Sequence, residues 1–482
     1  MLPLLVGCTS APPAALVNPA SSPTPIVAAQ EGDARLSDPE LSYAPARQID
    51  VPIIIGAGPA GLAAAMDLGD ALVLESTSQV GGRALWAGGF LFLVGTEEQE
   101  AAGIFDTPDL AITEWETLTG DAATPQTIEF LHATDGIRDR LVDMGQTFEI
   151  AREDPYFGHY REHGPEGGGV GLVQTLVDHL PSGVTLELDT PVRGLVFVDG
   201  VAAGVRTDEG WLRSDTVIVA SGGFADRADL IALHSGWEEG SWRLGDPTVA
   251  TGSALDFAAE SGLGTADLGA IGSYRDLIGV AGDDGQAIEL RASRAPWVWV
   301  DSTGTRFVDE SATWSLVLGS LANARSDVWA IGTHQGIAAV VDAEDQPFLV
   351  EGHAFRCASD WAGLAASIGV DPEALTATMA EVDAIIAGEA IDALGRGRSG
   401  FGSFVGNPCA FRPGHVAAKN FGGLAVDPDG RALDLVGATV PGLWAVGEAA
   451  GMGIPGLGGA WGFDGSLAAV LWSGWRAADA IE

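Results

Sequence analysis

The chain has 482 residues, 46% of them hydrophobic and 19% charged, which is enough apolar material for a large core and excludes wholesale disorder. Acidic residues outnumber basic ones 66 to 24, and the net charge of −42 argues against a phosphate-backbone partner: no nucleic acid is expected. The acids are spread along the chain, which reads as a solvated, salt-suited surface, and beyond the first few residues no apolar run is long enough to cross a bilayer. Glycine is abundant, at 67 residues, as a close-packed nucleotide fold requires. The cysteines are Cys8, Cys357 and Cys409, with no CxxC pair, so zinc ribbons, c-type haem and cysteine-rich clusters are excluded and no metal site is expected. A single lysine, Lys419, stands against 23 arginines.

In chain order, Leu5-Val6-Gly7-Cys8 resembles a bacterial lipobox, in which the cysteine carries a lipid anchor. The basic region and longer apolar stretch of that pattern are missing, which would place the real start upstream. The Ala/Pro/Ser-rich stretch that follows suits a tether and cannot form a core. Residues 1–48 are therefore read as a lipobox-like segment and linker, and the cell envelope as the location, with the cytoplasm as the alternative.

The folded part begins near Ile49. Ile49 to Ile55 reads as a buried parallel strand. Gly56-Ala57-Gly58-Pro59-Ala60-Gly61 follows, then a helix-like run. In that spacing Gly56 permits a tight turn, Gly58 lets backbone approach a pyrophosphate and Gly61 lets helix and strand pack closely, with phosphate at the helix N-terminus. A second strand, Ala71 to Leu74, ends in Glu75, nineteen residues after Gly56, where an acid accepts hydrogen bonds from ribose hydroxyls. Strand, glycines, helix, strand and acid in that order specify a dinucleotide-binding unit.

Later segments choose the dinucleotide. Gly81-Gly82-Arg83 resembles the second phosphate contact of FAD-binding proteins, and Ala87-Gly88-Gly89 offers a side-chain-poor surface for an isoalloxazine ring. Thr216 to Gly223 and Gly442 to Glu448 resemble the strand-then-glycine and terminal strand-then-acid motifs of the same proteins. Arg161-Glu162-His163-Gly164-Pro165 with its glycine loop, Val300 to Glu310, Phe421-Gly422-Gly423 and Gly465-Ser466-Leu467 extend the likeness. The chain resembles the flavoprotein superfamily of fumarate reductase, succinate dehydrogenase and 3-ketosteroid Δ1-dehydrogenase from Ile49 to its end.

The resemblance implies an α/β fold: a Rossmann-like FAD-binding domain split in sequence, at 49–267 and 401–482, around an inserted α+β capping domain at 268–400. Apolar periodicity predicts a helix from Asp371 to Ile386 within the cap. It also implies noncovalent FAD, since no histidine follows the flavin glycines. By resemblance, the FAD contacts include Ser76, Val192, Ser221, Gly222, Gly423, Gly447, Glu448 and Gly465-Ser466-Leu467 beside the glycines, Pro59, Ala60, Glu75 and Arg83 named above.

The departures bear on substrate. The histidines and arginines with which fumarate reductases hold a dicarboxylate fall at Tyr274, Lys419, near Gln346 and near Ala460 or Trp461. A dicarboxylate needs bidentate partners to offset its desolvation, so the chain is not expected to be a true fumarate reductase. An apolar or monoanionic small molecule is expected instead. Lys419, Tyr274, Tyr160 and Trp461 are the candidate catalytic residues, with ordinary packing as the alternative for each aromatic. Arg306, Asp309 and Glu310 are read as shaping the cap. The expected activity is hydride transfer at the flavin N5, at an activated C–C or C=C bond beside a carbonyl, with proton transfer by Tyr or Lys. It needs an external electron partner such as a quinone, a cytochrome or O2. The alternative is a non-catalytic or electron-relay flavoprotein on the same fold.

Overall fold

The computed structural model describes residues 47–481, apart from 120–121, 152–158, 238–241, 245–248, 274–276, 282–286, 292–295, 311–327, 340–354, 399–400, 402–403 and 455–464. Cys8, Tyr274 and Trp461 lie outside the described residues, as do Tyr156 and Gln346.

The central sheet starts with β1 (Ile53–Ile55), α1 (Pro59–Leu68) and β2 (Asp70–Leu74), and continues with β3 (Gly183–Glu187) and β4 (Val217–Val219). The first strand is shorter than predicted. Pro52 has no N–H to give a ladder, and Ile49 instead donates to the Arg213 carbonyl at 2.8 Å. All three isoleucines of β1 are buried, as in a strand covered on both faces.

The inserted region supplies a second, four-stranded antiparallel sheet: β5 (Trp297–Val300), β6 (Trp329–Thr333), β7 (Arg356–Cys357) and, after helix α2 (Pro372–Ala387), β8 (Pro408–Phe411). Its order is β5-β6-β8-β7. The predicted 371–386 helix is α2: Asp371 caps it by accepting from the Glu373 and Ala374 amides at 2.8 and 2.9 Å, and Gly388 ends it. Its buried Leu375, Met379, Val382 and Ile385 pack on Val298 and Val300. This sheet draws β8 from beyond residue 400, where the sequence pattern closes the insert. A disulfide between Cys357 and Cys409 joins β7 to β8 across 52 residues of sequence.

The chain then returns through β9 (Pro413–Asn420), β10 (Arg431–Leu433), β11 (Thr439–Ala445) and α3 (Leu467–Ile481). The central sheet has the order β10-β11-β4-β1-β2-β3, parallel except for β10. Strand order reverses at β1, so its carboxyl end and that of β4 open a crevice, where open α/β sheets bind ligands. Helices α1 and α3 cover this region. A side chain on Gly474 would strike the Ala60 carbonyl, so only small residues let the two helices meet this closely. Burial of Ala60, Ala63 and Ala64 against Ala469, Leu471 and Trp472 makes the apolar floor below the crevice.

Among the described residues, no helix is long and apolar enough to cross a membrane.

Candidate functional site

The turn after β1 is held by backbone contact. A Cβ on Gly56 would lie 2.5 Å from the Ala220 carbonyl oxygen, and one on Gly61 would collide with the Gly56 carbonyl. Neither position admits a side chain, which fixes the strand-to-helix turn of the sequence motif. Gly58 is different: nothing lies within 4 Å of where its Cβ would stand. It caps α1 without a side-chain bond, with Pro59 at the first turn. Leu62 donates to the Gly58 carbonyl at 3.0 Å, so the amides before it have no acceptor within the helix. Open space therefore meets free helix N–H groups, an arrangement suited to an anion.

At the end of β2, Glu75 is pinned. Its Oε1 accepts from Thr77 N–H and Thr77 Oγ1, both at 2.9 Å, and from Ser76 Oγ at 3.2 Å. Its Oε2 accepts from Ala57 N–H at 2.9 Å. One carboxylate oxygen is thus fully engaged, and the other keeps a lone pair for a further donor.

These groups share one cavity of 620 Å³ at the crevice. Gly56, Gly58, Pro59, Ala60, Glu75 and Ser76 line one side. Gly82 and Arg83 line it too, as do Val192, Ser221, Gly222 and Glu448. Leu467 and Val470, from the start of α3, complete the apolar wall. With Ala250 to Glu260, which also borders it, segments from six distant parts of the chain converge here.

The remaining predicted contacts lie outside this cavity. The Gly61 and Gly81 positions support the turn: Gly81 donates to the Ala57 carbonyl at 2.8 Å. Ala87, Gly88 and Gly89 abut the start of the Gly168–Asp178 helix, where Gly169 donates to the Ala87 carbonyl at 3.2 Å. Gly423 pairs with Ala450. Gly447 donates to Ser473 Oγ at 2.9 Å. Gly465 accepts from Phe92 N–H at 2.9 Å, and Ser466 bridges to Leu91, so this segment ties α3 to a neighbouring strand.

Two features suit a polar ligand. The Ser221 hydroxyl is buried with no hydrogen-bond partner among the described residues. Glu448 is half-buried at the cavity wall, and its Oε1 accepts from Asn420 N–H at 2.7 Å. Burial pushes its carboxyl above the usual range, while the charges of Arg83 and Lys419 oppose that rise. Arg83 is itself held by Asp226 at 3.1 Å.

Lys419 does not line the cavity. It stands one residue before Asn420 on β9, opposite Gly272, with Nζ 5.5 Å from the centre of the Phe421 ring. Tyr160 does not line the cavity either. Its carbonyl accepts from Gln99 Nε2 at 2.9 Å, and its neighbour Arg161, wholly buried, makes a two-pronged pair with Asp106 at 2.7 Å. The sequence pattern overlooked Thr251, which lines the cavity, Asp226, which holds Arg83, and Asn420, which donates to Glu448. Only Asn420 had a local signal, its place beside the lone lysine. Among the described residues there is no group of three potential metal ligands.

The model of the family described as FAD binding domain matches residues 51–460. Over 447 residues the chain is 25% identical to "Fumarate reductase (cytochrome)" of Shewanella frigidimarina, covering 85% of this chain and 73% of the relative. Among solved structures it is similar to a 3-ketosteroid-delta4-(5alpha)-dehydrogenase from Rhodococcus jostii RHA1, with a TM-score of 0.71, 23% identity, and 92% and 98% of the two chains covered. It is also similar to a 3-ketosteroid delta1-dehydrogenase from Sterolibacterium denitrificans, with a TM-score of 0.69, 16% identity, and 90% and 99% covered. At those identities the two structures establish the fold.

Proposed function

The chain belongs to the FAD binding domain family and is an FAD-dependent oxidoreductase, and on that premise we propose that it moves a hydride at an activated carbon–carbon bond beside a carbonyl. The observation that carries this reading is the single cavity joining the α1 N-terminus, Glu75, the Ser221 loop, Glu448 and the start of α3. The open space at Gly58 and the unpartnered Ser221 hydroxyl fit a large polar cofactor. Bound FAD would supply the hydride acceptor or donor.

In this reading the α1 amides hold the pyrophosphate, and Glu75 Oε2 accepts from a ribose hydroxyl. Ser221 and Glu448 would take further hydroxyls, and Leu467 would give the cofactor an apolar contact. The FAD is held without a covalent bond. Lys419 carries the proton or holds one substrate carboxylate, its stem resting on Gly272 and its ammonium beside Phe421. The similarity to a fumarate reductase and to ketosteroid dehydrogenases favours an enone, enoate or steroid ketone. The loss of the arginine and histidine set favours an uncharged or singly charged compound over a dicarboxylate. Electrons come from or go to a quinone, a cytochrome or O2.

The Cys357–Cys409 disulfide supports maturation in an oxidising compartment, as a lipid-anchored envelope protein would undergo.

The test is to reduce the protein anaerobically and mix it with enones, steroid ketones and acrylates while recording the flavin band. Rapid reoxidation by one compound supports the reading. If no compound reoxidises the flavin, and none reduces it in the desaturating direction, the electron-relay alternative holds.

A further inference from the structure

Three walls of the cofactor cavity are joined at one carboxylate. Asp226 follows the Ser221–Phe224 loop, and its side chain is only 4% exposed. Its Oδ2 accepts from the Val249 and Ala250 amides at 2.8 and 2.7 Å. Its Oδ1 accepts from Arg83 Nη1 at 3.1 Å. Backbone bonds strengthen the joint: Asp226 N–H donates to the Ala250 carbonyl at 3.3 Å, and Gly252 N–H to the Gly223 carbonyl at 3.0 Å. Arg83, Ser221 to Gly223, and Ala250 with Thr251 all line the cavity. Asp226 is not a lining residue, so it acts on a ligand only through the groups it holds.

The place of Arg83 makes that hold matter. A Cβ on Gly82 would stand 3.6 Å from the Gly58 Cα, so this loop lies against the first glycine turn. Arg83 is thereby set beside the α1 N-terminus, where open space meets helix amides suited to an anion. Its charge also acts at Glu448, opposing the rise of that carboxyl, while Asp226 acts in the opposite sense. A guanidinium carries several N–H donors in a fixed fork, so the bond to Asp226 does not exhaust it. A long side chain left loose would lose rotamer freedom on gripping a phosphate. Asp226 takes that loss at folding and leaves the guanidinium in place before the ligand arrives.

We propose that Asp226 is a positioning residue for the cofactor: it holds the Arg83 guanidinium at the cavity wall, where it binds the FAD diphosphate together with the α1 amides. This rests on the reading that the cavity takes FAD.

The experiment titrates FAD into the apoproteins of the wild type, Asp226→Asn, Arg83→Gln and the double variant, and records the melting temperature of each. In Asp226→Asn the amide oxygen can still accept from Val249 and Ala250, but the NH2 group then turned to Arg83 cannot accept its N–H. The expected result is FAD affinity weaker than wild type by roughly tenfold in Asp226→Asn and by at least roughly tenfold in Arg83→Gln, with the double variant no weaker than Arg83→Gln alone. The same coupling is expected with ADP as the probe, because ADP carries a diphosphate without the flavin. A carboxylate that only supports the 249–251 turn would weaken binding by the same factor with or without Arg83, so additive losses overturn the inference. Wild-type affinity in Asp226→Asn overturns it too, as does coupling seen with FAD and absent with ADP. If Asp226→Asn does not fold, Asp226→Ser takes its place in the cycle. A wild type that takes up no FAD overturns the functional reading as well, so the two failures are told apart.

Discussion

The cofactor crevice and the cap sheet pair their carboxylates differently. In the cap, Glu310 is buried and surrounded by donors: Trp299 N–H at 2.9 Å, Arg306 Nε and Nη2 at 2.9 and 2.7 Å, and Arg396 Nη1 at 3.0 Å. Arg306 reaches Asp392 at 2.8 Å, and both guanidinium groups lie over the Phe401 ring. The network satisfies its charges from within the chain. At the crevice, Ser221 Oγ and Asn420 Nδ2 lack partners among the described residues, and desolvation raises the pKa of the half-buried Glu448. The cap closes its charges within the chain, although the Trp297 and Trp299 indole N–H groups are also buried without a partner among the described residues, whereas the Glu448 carboxylate borders an open cavity.

Variants can break that comparison from either side, and the largest effect is expected at the glycine turn. Gly61→Val would force α1 off β1, and no FAD-loaded protein should be recovered by gel filtration with absorbance. Gly58→Glu has open space for its side chain, so the apoprotein should melt as wild type while FAD affinity falls by roughly a hundredfold, about 3 kcal/mol. Equal damage to folding in both would erase the distinction between supporting and ligand-facing glycines.

Glu310→Ala strips two buried guanidinium groups of their shared partner. It should cost about 3–5 kcal/mol in denaturant unfolding of the cap, with FAD affinity unchanged. Replacing Cys357 and Cys409 together by serine should cost up to about 4 kcal/mol, from the longer loop freed in the unfolded chain. Peptide mass mapping without reductant checks the bond itself. Lys419→Met should retain FAD at wild-type stoichiometry and lose turnover with whichever compound reoxidises the flavin. Full activity would remove the lysine from the chemistry.

The smallest effect is on pH dependence. The Glu448 carboxyl titrates higher in the folded chain than its ordinary value of 4.5. Its contribution to stability is therefore present below about pH 4.5 and is lost as pH rises through the folded value. Glu448→Gln should flatten that decline in apoprotein melting curves above about pH 4.5. An unchanged pH profile would place the buried charge elsewhere.

Much of the crevice was legible because its parts are local. Glycine spacing, the helix that follows and the acid after the second strand all fall within Gly56 to Glu75, and short-range sterics dictate them. The α2 helix was legible for the same reason, with its boundaries marked by Asp371 and Gly388. What stayed hidden depends on distant parts meeting. Asn420 gains its place only because β9 runs back to Phe224 and Glu448. Asp226 supports Arg83 across 143 residues. The Cys357–Cys409 bond needs β7 and β8 to pair, which spacing alone does not reveal. In Ala87-Gly88-Gly89, Gly89 packs against the start of the Gly168–Asp178 helix while Ala87 and Gly88 stay exposed, a division that sequence alone does not reveal.

The most direct measurement is the visible spectrum and flavin content of the purified protein before and after acid precipitation. The account predicts one FAD per chain, released intact into the supernatant. Protein without flavin after reconstitution with FAD, or flavin that stays with the pellet, would contradict it.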